Sequence, residues 1–311
     1  MVENRAPNQT GPNSISFWNR AKAQEEIEQV YGEDAVRLIY DTKIGQSLAE
    51  GVLSRTWFSK LYGTYQASSV SAHKVEPFVK KFNIPMADYE AGPFKSFNEF
   101  FIRKFRDGKR PFVSSPSEMG AFAEARYLAY EKILPEQKFP VKGKSLSAAA
   151  LLGSKDKGKI FEGGPLLLAR LCPTDYHRFH FPDAGRVIRS YTIHGKLHSV
   201  NPLALKYKDD IFITNERQVS ILETQNFGRL AYIEVGALCV GRIIQSFNKG
   251  GNLEFKRGQE KGYFLFGGST VIVLGEPGIW TPDSDLLEQT RQGRETLVCL
   301  GDRVGTRIKK I

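Results

Sequence analysis

The stretch Gly262-Tyr-Phe-Leu-Phe-Gly-Gly-Ser-Thr-Val-Ile-Val-Leu274 decides how this chain is read. Two short apolar runs, 262–266 and 271–274, are rich in aromatic and β-branched residues. Such runs, bounded by turn residues, read as strands. Between them lies a turn of small residues, Gly267-Gly268-Ser269-Thr270. Glycine permits backbone conformations and close approaches that a Cβ would obstruct. Two readings of the turn are open. It is a structural hairpin, since glycines dominate such turns. Or the Ser269 hydroxyl, held against the carbonyl of Gly268, attacks its own backbone. It is not the GxSxG elbow of the α/β-hydrolases.

Outward from this turn the strand signal continues through the second half of the chain. Runs at 165–171, 218–223, 231–235 and 238–244 are separated mostly by Gly, Asn and Pro. Residues 24–106 read as helical instead: Leu48, Val52, Leu53, Trp57 and Leu61 recur at helical spacing. Ser96-Phe97-Asn98-Glu99 fits a capping box that starts a short helix. The predicted class is α+β, with a helical N-terminal layer and a β-rich, mostly antiparallel, sandwich-like core. The boundaries are a disordered tail at 1–23, a helical, membrane-facing region at 24–110 and a catalytic core at 111–311.

The formal charge of +10, with pI about 9.4, calls for an anionic partner. The basic residues are spread along the chain and form no nucleic-acid motif, so the open readings are a merely solvated basic surface and an anionic membrane surface. An aromatic cluster at Trp57, Phe58, Leu61 and Tyr62, beside Lys60, suits a helix lying on such a surface or one packed on its own core. No run of about 18 apolar residues predicts a membrane span. Three cysteines, Cys172, Cys239 and Cys299, leave one unpaired under any disulfide scheme and suit a reducing compartment.

Gly153-Ser-Lys-Asp-Lys-Gly-Lys159 nearly matches a phosphate-binding loop, but Ile160 stands where a magnesium-binding hydroxyl is needed. His177 and His180 lie three apart in Asp175-Tyr-His-Arg-Phe-His-Phe-Pro182. On a helix they would share a face, as metal ligands do. Without further His or Cys nearby the set is too small for zinc, and no metal is expected. A general base near a hydroxyl is the better functional reading.

Together these segments resemble the phosphatidylserine decarboxylase family. The resemblance runs from about Leu38 to Gly305. It rests on Ser96-Phe-Asn-Glu-Phe-Phe-Ile-Arg-Lys104 and Asp175-Tyr-His-Arg-Phe-His-Phe-Pro182. His198-Ser-Val-Asn-Pro202, Asn215-Glu-Arg217 and Val235-Gly-Ala-Leu-Cys-Val-Gly241 follow, then Phe264-Leu-Phe-Gly-Gly-Ser-Thr270. Each motif alone is weak, and the ordered set of six is strong.

The resemblance implies a self-processing proenzyme. Ser269 corresponds to the serine that becomes a pyruvoyl group, and cleavage falls between Gly268 and Ser269. His180 corresponds to the histidine that activates it, with His177 as a possible helper. The acid normally sits in a Pro-Ala-Asp-Gly-Arg type motif. Here Phe122-Ala-Glu-Ala-Arg126 occupies that spacing, so Glu124 stands for the Asp, and Glu118 is the fallback. The products would be a large chain, 1–268, and a small chain, 269–311, held as a heterodimer that allows higher assembly. The implied substrate is a phospholipid at the cytoplasmic face of the cell membrane, reached as a peripheral protein. Two other readings stay open: a pyruvoyl decarboxylase of a soluble aromatic amino acid, and an uncleaved, non-catalytic lipid-binding relative.

Overall fold

In the computed structural model, the residues described are 15–29, 42, 45, 51, 54, 56–133, 147–200, 204, 210–237, 242–247, 253–267 and 269–309. The early strands are β1 (Ser16–Asn19), β2 (Gln24–Ile27), β3 (Glu118–Gly120), β4 (Ala125–Tyr130) and β5 (Leu166–Leu171). The middle strands are β6 (Arg178–His180), β7 (Gly185–Ile193), β8 (Arg217–Thr224), β9 (Arg229–Val235) and β10 (Ile243–Gln245). The remainder are β11 (Glu254–Phe255), β12 (Glu260–Phe264), β13 (Ser269–Gly275), β14 (Trp280–Pro282), β15 (Glu295–Val298) and β16 (Arg303–Arg307).

Ten of these strands form one sheet in the order β11-β7-β8-β9-β13-β5-β4-β15-β1-β2. Its neighbours are antiparallel except β1 and β15, which run parallel. Two smaller sheets, β10-β12-β6 and β14-β16-β3, complete the strand-rich part. The α+β class and the mostly antiparallel core expected from the sequence therefore hold. Central strands are buried throughout, all six residues of β5 and all seven of β13, and most of these residues are apolar. Continuous apolar runs of this kind are what a strand covered on both faces requires.

The helical layer contains α1 (Thr56–Ala67), α2 (Val75–Phe82) and α3 (Phe97–Phe101). The capping box is formed. Ser96 Oγ accepts the Glu99 N–H at 3.1 Å, and the Glu99 carboxylate accepts the Lys95 N–H. Phe78, Phe97, Phe100 and Phe101 make a second, aromatic core that also takes in Tyr176, Phe266 and Leu300. This layer packs on the segment that leads into β13.

One expectation is corrected. Residues 15–23 are not tail, and the helical region does not begin at 24. Ser16–Asn19 and Gln24–Ile27 form an antiparallel hairpin whose first strand extends the main sheet alongside β15. Local composition hides this, because Gln24-Glu25-Glu26 has little β propensity. Pairing with β15 and the burial of Phe17 override it. Leu48, Val52 and Leu53, read as part of a helical stripe, lie outside the described residues, as do the side chains of Trp57 and Phe58.

Candidate active site

Ser269 opens β13, between Leu171 of β5 and the end of β9, and is fully buried. Its Oγ lies 3.3 Å from Nδ1 of His177. The other ring nitrogen, Nε2, lies 2.8 Å from the carbonyl oxygen of Cys172. A carbonyl only accepts, so Nε2 carries the proton and Nδ1 presents its lone pair to the serine hydroxyl. The imidazole stacks on Phe101 with ring centres 3.8 Å apart. Burial makes the charged form costly and pulls the His177 pKa down to about 3. The histidine is therefore neutral, with an unprotonated Nδ1 facing the serine hydroxyl.

The turn before Ser269 is held from the helical layer. Asn98 Oδ1 accepts the Phe266 N–H at 2.9 Å. The Phe266 ring sits against Phe97 and Phe101, with centroids 5.2 and 4.9 Å away. Gly267 has φ +141°, outside the comfortable range of side-chain-bearing residues. Gly268 lies outside the described residues.

His180 has a different environment. Its Nδ1–H donates to the Gly258 carbonyl at 2.9 Å, and the Tyr176 hydroxyl donates to Nε2 at 3.3 Å. Burial lowers its pKa as well. The physical reason is the backbone. The segment enters strand β6 rather than a helix, so residues three apart point to opposite sides. One histidine faces Ser269 and the other faces Gly258.

Glu124 receives two hydrogen bonds from Arg110, at 2.5 and 2.9 Å, and one from the Leu300 N–H at 3.2 Å. Two residues before it, the Phe122 carbonyl accepts the His180 N–H at 2.8 Å. Among the described residues, no hydrogen bond joins Ser269 to His180 or His180 to Glu124. Glu118 is in β3, paired with Arg303 at 3.5 Å. Also among the described residues, no three His, Cys, Asp or Glu side chains gather as a metal would need.

The remaining motif residues build the scaffold around the site. Asn215 clamps His198 at both backbone atoms, at 2.9 and 2.8 Å, and donates to the Gly236 carbonyl at 2.8 Å. Arg217 donates to the carbonyls of Ala150, Leu151, Ile213 and Asn215. Arg103 donates to those of Thr174 and Asp175, just before His177. Arg103 thereby ties the segment after α3 to the loop that carries His177.

The family model of phosphatidylserine decarboxylase matches residues 97–306. The phosphatidylserine decarboxylase proenzyme of Clostridium tetani is 40% identical over 296 residues, covering 94% of this chain and 99% of its own length. That of Clostridium kluyveri is 40% identical over 297 residues, covering 95% and 100%. That of Clostridium novyi is 39% identical over 296 residues, covering 94% and 100%. The chain belongs to the phosphatidylserine decarboxylase family.

In this member of the phosphatidylserine decarboxylase family, the matched span holds Asn98, His177, His180 and Ser269, while the N-terminal hairpin lies before it. The outer face of the helical layer exposes Leu61, Tyr65 and Val70, at 66, 40 and 65% of their surface. Lys74 Nζ sits 4.2 Å over the Tyr65 ring. Among the described residues no helix is long and apolar enough to cross a membrane. Cys172 and Cys299 are free thiols.

Proposed function

We propose that this protein is a self-processing, pyruvoyl-dependent decarboxylase of phosphatidylserine, releasing phosphatidylethanolamine and CO₂. The observation that carries the reading is the contact between Ser269 Oγ and the unprotonated Nδ1 of His177, at the end of the Gly-Gly-Ser turn. His177 Nδ1 takes the Oγ proton, and the oxygen attacks the Gly268 carbonyl carbon. The Gly268–Ser269 C–N bond breaks, and the proton passes from His177 to the freed amine. The result is an ester in place of the peptide. Loss of the Cα proton of residue 269 then expels the Gly268 carboxylate and leaves a dehydroalanine. Water converts it to a pyruvoyl group and ammonia.

The residues fit that group. The position is fully buried, its neighbouring imidazole is neutral, and Phe101 covers that imidazole. When formed, the group supplies an electron sink for the carboxylate carbon's bonding electrons as CO₂ leaves. The chain's own part is to exclude water, hold the turn through Asn98 and keep His177 able to carry a proton.

The helical layer faces the bilayer in this reading, as a peripheral contact with an anionic cytoplasmic leaflet. Support comes from the exposed Leu61, Tyr65 and Val70 beside Lys74, and from the positive net charge. The large and small chains remain together as a heterodimer.

A second reading keeps the chemistry but makes His180 the base, oriented by Glu124. The match of Asp175-Tyr-His-Arg-Phe-His180 to the family motif favours it. Separate His177→Ala, His180→Ala and Glu124→Gln variants distinguish the two by the rate at which cleavage appears.

The defining experiment is mass spectrometry of purified protein. It should show a fragment of residues 269–311 with a blocked N-terminus, absent from Ser269→Ala. Intact chain alone would overturn self-processing and leave an uncleaved lipid-binding protein. CO₂ release from phosphatidylserine vesicles, compared with free aromatic amino acids, tests the substrate. Release from the amino acids alone would move the activity to a soluble substrate.

A further inference from the structure

We infer that the N-terminal hairpin, β1 and β2 with Glu28, is the surface by which the large chain grips the far half of the 269–311 chain after scission. The inference rests on the self-processing reading above and holds whichever histidine acts as the base. The hairpin belongs to none of the six motifs and precedes the span matched by the family model.

The contacts of the hairpin point to this partner. β1 runs parallel to β15, with Phe17, Trp18 and Asn19 opposite Glu295, Thr296 and Leu297. The Arg20 N–H donates to the Leu297 carbonyl at 3.2 Å. The Arg20 guanidinium donates to Asp283 and Asp285, each at 2.9 Å, and to the Arg303 carbonyl. Glu25 accepts from Arg294 at 3.1 Å. All of these partners lie after the cut. They span the first turn of the helix Ser284–Arg291, β15 and the start of β16.

Glu28 is the buried end of the grip. Its carboxylate accepts from Arg170 at 2.6 and 3.1 Å and lies 3.0 Å from Arg126 Nε. Burial alone would raise its pKa, but the two guanidinium groups hold it down at about 2, so it is ionised. Arg170 also donates to Glu295 at 2.8 Å. One buried guanidinium is thus shared between a carboxylate of the hairpin and a carboxylate of the small chain. In the ladder Arg170 stands opposite Thr270, the second residue after the cut. The Phe17 ring covers Arg126, with the guanidinium carbon 4.5 Å from its centroid.

The two ends of the small chain are held differently. β13 is bonded on both sides by interior strands, β5 and β9. β15 has β4 on one side and only the hairpin on the other. Without the hairpin it becomes an edge strand with a row of open backbone groups. Arg170 would also keep its burial while losing one of its two carboxylates. Before the cut, a peptide bond keeps this end nearby whatever the hairpin does. Afterwards only such contacts retain it. A hairpin whose sole task was to end the sheet would need the ladder alone. Arg20 and Glu28 reach past the ladder, to Asp283 and Asp285 directly and to Glu295 through Arg170.

The test uses the full-length, cleaved protein. Mixing it with uniformly ¹⁵N-labelled protein produces hybrid heterodimers whenever a 269–311 chain leaves and rebinds, and native mass spectrometry counts them. Arg20→Ala and Glu28→Gln should each speed hybrid formation roughly tenfold or more, because losing one partner of an interfacial charge pair acts mainly on the off-rate. Lys22→Ala removes an ion pair confined to the hairpin, with Glu26, and should leave the rate unchanged. Hydrogen exchange on uncleaved Ser269→Ala protein forms a second arm that needs no scission. There Arg20→Ala should speed exchange across 295–298 and leave 271–274 at its original level. Unchanged hybrid formation in both variants overturns the inference. Equal loss of protection in the two segments also overturns it, since that marks a general loss of stability. If Glu28→Gln does not fold, Arg20→Ala decides alone, because its side chain is partly exposed. Absence of the fragment from wild type sinks self-processing separately, and the exchange arm still reports whether the hairpin grips 295–298.

Discussion

Asn98 Oδ1 accepts the backbone N–H of Phe266 at 2.9 Å, linking the first turn of α3 to the segment that ends in Ser269. The bond ties a helix to the turn before β13, 168 residues away, and in the proposed reading holds that turn where the serine attacks. Asn98→Ala should fold, because the capping residue Ser96 is untouched, yet should slow cleavage roughly tenfold. Asn98→Asp keeps the acceptor and should retain most of the rate. Time-resolved gel analysis of freshly translated protein reads both. Equal rates for Asn98→Ala and wild type would show that the turn needs no such tether.

The pH dependence of cleavage separates the two histidine readings from ordinary histidine catalysis. A base with the usual pKa of about 6.5 loses activity as the pH falls through that value. His177 sits at about 3, so it remains unprotonated well below neutrality. The cleavage rate should stay flat from about pH 8 down to about pH 5. A half-point near 6.5 would contradict a buried neutral base.

Stability should follow the same groups. The folded pKa of His177 lies below its unfolded value of 6.5, and that of Glu28, about 2, lies below 4.5. In both cases the unfolded chain binds more protons inside those windows, so stability rises with pH there. Urea unfolding of the Ser269→Ala protein should therefore weaken steadily from about pH 6.5 down toward pH 2. His180, also lowered by burial, adds to the upper part, so His177→Gln should shallow that part of the slope and Glu28→Gln the lower part, without abolishing either.

Lys261 and Glu234 form an ion pair with no exposed surface, and Gln245 also accepts from the lysine. Burial pushes the lysine pKa down and the glutamate pKa up. Phe179, Tyr232 and Phe247 surround the ammonium within 6 Å. Lys261→Met or Glu234→Gln alone strands a partner and should cost about 3–5 kcal/mol. Replacing both with apolar residues should recover most of that loss. Denaturant melts in a double-mutant cycle give the coupling, and purely additive losses would contradict it.

The serine and its histidine segment were legible because both lie in short motifs with distinctive side chains. The capping box was legible because Ser96 and Glu99 act within four residues. The choice between His177 and His180 was not, because their spacing has opposite meanings on a helix and on a strand. The helical reading puts them on one face, whereas β6 turns them apart. Strand β7 was also overlooked, since Arg186, Arg189 and Ser190 give a polar run with one fully buried residue, Val187. The hairpin at 16–27 and the burial of Glu28 beside Arg170 depend on partners more than 100 residues away, Arg170 and β15. Nothing within a local window reports such pairing.

Strand β13 is hydrogen-bonded on both sides, by β5 and β9, and β15 lies between β1 and β4. In the self-processing reading, cutting the Gly268–Ser269 bond leaves β13 and β15 of the small chain laced between strands of the large one. Scission therefore changes the covalent connectivity without loosening the sheet, and the new end forms in a dry interior. Unfolding is another matter. A single chain returns to this sheet by a first-order search, whereas two fragments must first find each other, at a rate that depends on their concentration. Maturation thus turns a reversible folder into a protein whose persistence rests on how slowly it opens.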